Sequence, residues 1–114
     1  MAIIYHNPRC GTSRKVLQAL QDQGLQVEII EYLKQPLKRE ALAKMIADAG
    51  LTVREAVRSK EALYTELGLD NASVGDEALL RAMEDHPILM NRPFVITQKG
   101  TRLCRPAEVV QEIV

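Results

Sequence analysis

Cys10 is the residue with the clearest capacity for covalent chemistry. It stands between a short apolar run, Ala2 to His6, and a helical pattern that opens at Thr12 or Ser13. A cysteine at a helix start meets unpaired backbone N–H groups and the positive end of the helix dipole. Both favour the thiolate, so the Cys10 thiol is expected below the free value of ~8.5. Arg9 and Arg14 flank it, and His6 lies upstream at the strand end. A cysteine that merely packs as a small apolar group has apolar neighbours. Here the neighbours are Arg9, Gly11, Thr12 and Ser13.

The residue three after Cys10 is Ser13, so no local C-x-x-C dithiol exists. Any second thiol must come from Cys104 or from another molecule. Cys104 lies in the strand-like run Thr101-Arg102-Leu103-Cys104-Arg105 and reads as a packed strand cysteine. Arg92 and Arg105 bracket a predicted hairpin, which brings its two ends together. Arginine presents forked donors suited to a tetrahedral oxyanion. A thiolate with converging arginines is a site for attack on an anionic electrophile. A C-x5-R phosphatase loop would need arginine where Val16 stands, so that loop is excluded. His6 reads either as a cap on a backbone group or as a residue tuning Cys10. His86, at a helix end before Pro87, reads as structural. No His, Cys and carboxylate spacing fits a metal site, and no glycine-rich nucleotide fingerprint occurs.

These residues need elements to position them. Ala2–His6 reads as a strand, Thr12 to about Gln23 as a helix stopped by Gly24, and Val27–Leu33 as a second strand. That is a βαβ unit, right-handed with parallel strands in nearly all cases. Leu37–Ala49 reads as a helix, Thr52–Glu55 as a capping box opening a short one, and Glu61–Leu67 and Asp76–Asp85 as two more. Phe94–Thr97 and Thr101–Arg105 read as a hairpin turning at Gln98-Lys99-Gly100, and Ala107–Ile113 as a terminal helix. A βαβ unit and a ββα unit sharing one sheet is the thioredoxin-like arrangement. The expected fold is therefore α/β, with a four-stranded mixed sheet in one domain over residues 1–114 and a helical insertion at about 34–91.

Composition bounds the class. Fifteen Lys plus Arg balance fifteen Asp plus Glu, without the basic excess of a generic nucleic-acid binder. No apolar run approaches ~18 residues, so no membrane span is expected. The start, MAIIYHNPRC, does not resemble a secretory leader. Two cysteines are too few for a disulfide scaffold, and the expectation is a cytoplasmic chain with reduced thiols.

The run Tyr5-His6-Asn7-Pro8-Arg9-Cys10-Gly11-Thr12-Ser13-Arg14 closely resembles the active-site loop of glutaredoxin-coupled arsenate reductases. His86-Pro87-Ile88-Leu89-Met90-Asn91-Arg92-Pro93 and Gly100-Thr101-Arg102-Leu103-Cys104-Arg105-Pro106 are similar to two further motifs of that family. The resemblance implies Cys10 as nucleophile, with His6 helping to hold it as thiolate. It implies Arg58, Arg92 and Arg105 as ligands of the arsenate oxyanion, with Gly11, Thr12 and Ser13 in the binding loop. Pro93 matches the cis-proline of thioredoxin folds. The implied chemistry is a thiol–arsenic adduct on Cys10, resolved by glutathione as co-substrate and by glutaredoxin as partner, with no bound cofactor and no metal. Two other readings share these residues. One is a glutathione-dependent thiol oxidoreductase of another substrate. The other is a non-enzymatic Spx-type regulator, whose C-x-x-C switch is missing here.

Overall fold

The computed structural model describes all residues 1–114. The chain divides into two compact units, Met1–Gln35 with Arg92–Val114, and Pro36–Asn91.

The first unit holds the sheet. Its elements are β1 (Ala2–His6), α1 (Gly11–Asp22), β2 (Val27–Glu31), β3 (Phe94–Thr97) and β4 (Gly100–Leu103). The strand order is β2-β1-β3-β4, with β1 parallel to β2 and antiparallel to β3, and β3 antiparallel to β4. This is the thioredoxin-like mixed sheet that the element order predicts. β1 is central, which is why its residues alternate between fully buried and half-buried. On α1, Ser13, Val16 and Leu20 form one buried face at helical spacing. Val16 and Leu20 pack with Ala2, Ile4, Val95, Cys104, Val110 and Ile113 in one apolar cluster. Gly24 has φ of +75°, a conformation that glycine adopts at no steric cost, and it follows the helix end.

Among the differences from the sequence reading are two strand ends and the type of the last helix. β2 stops at Glu31, not Leu33, because Lys34 and Gln35 both donate their N–H to the Glu31 carbonyl and turn the chain. β4 stops at Leu103, not Arg105, because the Arg105 N–H bonds to the Leu103 carbonyl and takes the chain off the sheet. Ala107–Glu112 is a 3₁₀ helix, not an α-helix. Its bonds run from Val109 N–H to the Pro106 carbonyl and from Ile113 N–H to the Val110 carbonyl. So short a run, with the β-branched pair Val109-Val110, gains little from α-helical winding.

The second unit is helical: α2 (Arg39–Asp48), a 3₁₀ turn at Arg54–Ala56, α3 (Ala62–Glu66), α4 (Asp76–Asp85) and a 3₁₀ turn at Pro87–Leu89 that the sequence reading omits. The capping box is formed. Thr52 N–H donates to Glu55 Oε1 at 2.8 Å, and Glu55 N–H to Thr52 Oγ1 at 3.2 Å. Leu42, Met45 and Ile46 of α2 and Leu79, Leu80 and Met83 of α4 are buried. Arg54 ties the loop that follows α3, donating to Tyr64 Oη at 2.9 Å, to the Leu69 carbonyl at 2.8 Å and to the Val74 carbonyl at 3.0 Å. No helix of the structure is long and apolar enough to cross a membrane.

Candidate active site

The end of β1 and the start of α1 build the site of the first unit. Asn7 shapes the turn. Its carbonyl accepts the Cys10 N–H at 3.0 Å, its Oδ1 accepts the Arg9 N–H at 2.9 Å, and its Nδ2 reaches Tyr32 Oη at 3.4 Å. Cys10 is thereby fixed as the N-cap of α1 with extended backbone angles. Its side chain makes no full cap bond, but the Ser13 and Thr12 N–H groups of the first turn act on the sulfur.

Burial pushes the Cys10 thiol up, but four influences together outweigh it. These are the Ser13 backbone N–H, the Arg105 side chain, the Thr12 backbone N–H and the Arg105 positive charge, and they set the thiol below its ordinary value. Arg105 Nη1 lies 3.6 Å from Cys10 Sγ and also donates to the Arg92 carbonyl at 3.1 Å. The sequence reading that the hairpin ends converge is therefore correct for Arg92 and Arg105. Arg92 is buried and precedes the cis peptide to Pro93, while Arg105 is half-buried and precedes the cis peptide to Pro106.

His6 does not touch the sulfur through any hydrogen bond of its own. It is buried, and its Nδ1 lies 2.7 Å from Ser13 Oγ. Burial lowers its pKa most; Glu31, its register partner on β2, opposes this, and Arg14 adds to it. Burial thus favours the neutral ring. The Asn7 N–H already donates to Ser13 Oγ at 3.1 Å, which leaves the Ser13 hydroxyl proton for His6 Nδ1. His6 is thus linked to the Cys10 loop through Ser13, whose hydroxyl is held inward while its backbone N–H lowers the Cys10 thiol. The Ser13 hydroxyl, buried and committed, is not offered to a ligand. Gly11 opens α1 and is exposed; a side chain there would meet only Arg14 Nη2 at 3.8 Å, so packing does not demand glycine.

Cys104 is fully buried in the apolar cluster, and burial pushes its thiol up to about 12. The packed-cysteine reading holds. Arg58 belongs to the second unit, where its N–H donates to the Leu89 carbonyl at 2.7 Å and its Nε lies 3.5 Å from Glu61 Oε2. His86, read as structural, closes α4, and its N–H donates to the Ala82 carbonyl. Asn7, Tyr32 and Glu31 were missed by sequence reasoning. The Asn-Pro dipeptide marks a turn but not which groups its amide will organise.

The chain is 56% identical over 110 residues to an arsenate reductase of Rhizobium meliloti (strain 1021), covering 96% of this chain and 79% of that protein. It is 51% identical over 110 residues to an arsenate reductase of Escherichia coli (strain K12), covering 96% and 78%. The solved arsenate reductase from Vibrio cholerae superposes with a TM-score of 0.94 at 41% identity, over 99% of this chain and 97% of that one. The model of the ArsC family matches residues 5–113, and this chain belongs to the ArsC family.

Proposed function

We propose that this protein reduces arsenate to arsenite through a covalent adduct on Cys10. The observation that carries the reading is the Cys10 sulfur, set on the first-turn N–H groups of α1 with Arg105 at 3.6 Å. Relatives named as arsenate reductases are 56% and 51% identical to this chain over 110 residues, 96% of its length.

The Cys10 thiolate attacks arsenic, an As–S bond forms as one As–OH bond breaks, and the oxygen leaves as hydroxide that takes a proton from solvent to become water. In this reading Arg92 and Arg105 bind the remaining oxygens, and Arg58 is proposed as a third ligand from the family resemblance alone. The backbone N–H groups of Gly11, Thr12 and Ser13 face the negative charge at the helix start. Glutathione then adds its thiol to arsenic, and a second water leaves. A glutaredoxin thiolate attacks the glutathione sulfur to form a mixed disulfide. The electron pair of the broken S–As bond reduces arsenic(V) to arsenic(III), and hydrolysis of the Cys10–arsenic bond frees arsenite. The external thiols do what a resolving cysteine would do, and Cys104 is in no position to serve. The reaction suits the reduced thiol pool of the cytoplasm.

The test is an NADPH-coupled assay with arsenate, glutathione, glutathione reductase and glutaredoxin. Turnover is expected for the parent and for Cys104→Ser, and none for Cys10→Ser. A parent protein without arsenate-dependent turnover would exclude the proposal.

A further inference from the structure

An open groove of about 440 Å³ lies beside the Cys10 loop in the first unit, lined by Asn7, Pro8, Arg9, Glu31, Leu33 and Lys34. That volume falls in the range of small-molecule sites. Its charges form a definite set. Arg9 and Lys34 supply two cations and Glu31 one carboxylate. The Arg9 guanidinium makes no ion pair, and its backbone is pinned by Asn7 Oδ1 at 2.9 Å. Lys34 Nζ lies 3.6 Å from Glu31 Oε1 with its side chain 79% exposed, so that pair is readily exchanged for a ligand. Leu33, a large apolar side chain left 40% exposed, and Pro8 supply an apolar wall.

A ligand complementary to this groove carries two carboxylates and one ammonium group around a short peptide body. Asn7, Pro8 and Arg9 of the groove wall form the turn whose Asn7 carbonyl accepts the Cys10 N–H at 3.0 Å, so the groove borders the loop that carries the sulfur. The first unit has no second accessible thiol, because Cys104 is sealed in its core. We infer that this groove is the docking site of the small anionic peptide thiol that resolves the Cys10 adduct. The inference rests on the reductase reading for the atom attacked. In that step the ligand S–H adds to arsenic, an S–As bond forms, an As–O bond breaks, and the proton leaves with that oxygen as water. No atom changes oxidation state.

S-methylglutathione keeps both carboxylates and the ammonium but cannot react. Titrated into the parent protein and followed by NMR, it should shift the amides of Arg9, Glu31, Leu33 and Lys34. Binding to Arg9→Glu/Lys34→Glu should weaken about tenfold or more, the sum of two modest exposed charge contacts reversed in sign. Arg9→Gln/Lys34→Gln should weaken it less, in the same direction, which guards against misfolding of the charge-reversed variant. The diethyl ester of the ligand should bind the parent more weakly than the diacid. Shifts confined to other residues, equal binding by the variants, or an ester that binds as well as the diacid would overturn the assignment. No arsenate enters this titration, so failed turnover would remove the reductase reading without deciding the site.

Discussion

Arg105→Ala tests how Cys10 is activated. Arg105 Nη1 is 3.6 Å from Cys10 Sγ. Removing it deletes one donor on the sulfur and the cation whose charge favours the thiolate. Burial, which pushes the thiol up, is then opposed only by the Ser13 and Thr12 N–H groups. The midpoint of Cys10 alkylation must move to higher pH. Two unit charges ~4 Å apart interact by ~1 kcal/mol in bulk water and ~4 kcal/mol at an effective dielectric of ~20. Cys10 is only half-buried, so the lower end applies. An effect of about 1.4 kcal/mol is roughly a tenfold change in thiolate population on the rising limb of the profile. The assay is the rate of iodoacetamide reaction with Cys10 across the acid and neutral range, read by intact mass. The variant should react about tenfold more slowly there, then match or exceed the parent once both are fully ionised, because a more basic thiolate is the better nucleophile. Arg105→Lys keeps the charge without the fork and should fall between. A folded Arg105→Ala protein with an unmoved midpoint would refute this account of the activation.

Native protein should take one alkyl group rapidly, on Cys10, and a second only on unfolding; equal labelling of both cysteines would contradict the sealed position of Cys104. Because the folded Cys104 thiol is raised to about 12 while the unfolded one ionises near ~8.5, unfolding releases a proton between these values, and urea stability should fall as pH rises through that window. Cys104→Ala should lack that part of the fall, and an identical alkaline profile would count against it. Ser13→Ala leaves His6 Nδ1 and the Asn7 N–H without their shared hydroxyl partner, so denaturation should show a loss of ~1–3 kcal/mol. Ser13→Thr, which keeps the oxygen, should recover part of it. Arg54→Met removes bonds to Tyr64 Oη and to the Leu69 and Val74 carbonyls, and should cost roughly 2 kcal/mol or more by the same measurement. A loss within error would mean that these groups find other partners.

Much of the frame was readable because each signal was local. β1 and β3 were placed residue for residue, since AIIYH and FVIT are apolar β-branched runs bounded by turn residues. The order βαβ then ββα leaves few sheets to choose from, and the mixed sheet follows. Cys10 announced itself by strand-to-helix position, and Arg105 by the return of a hairpin. What was not readable depends on three-dimensional register. That His6 sits across from Glu31, and that its ring meets Ser13 rather than the sulfur, are consequences of how β1 aligns with β2 and α1. The spacing from residue 6 to residue 13 signals no contact, because the chain turns twice between them. For the same reason the sequence does not show that Ser13 turns its hydroxyl to His6 and reaches the sulfur with its backbone N–H. The terminal 3₁₀ helix was misread because its apolar spacing fits an α-helix, whereas its bonds close after three residues.

The contact between Cys10 and Arg105 spans 95 positions of the chain. A growing polypeptide therefore makes its cysteine almost first and the arginine that arms it almost last. Until residues 92–105 have emerged and the hairpin has joined the sheet beside β1, Cys10 lacks the cation that helps to ionise it. Reactivity is in this sense a certificate of completed synthesis and folding. A fragment broken before Arg105 keeps the nucleophile but not the cation beside it, and is the less prone to react with whatever electrophile it meets.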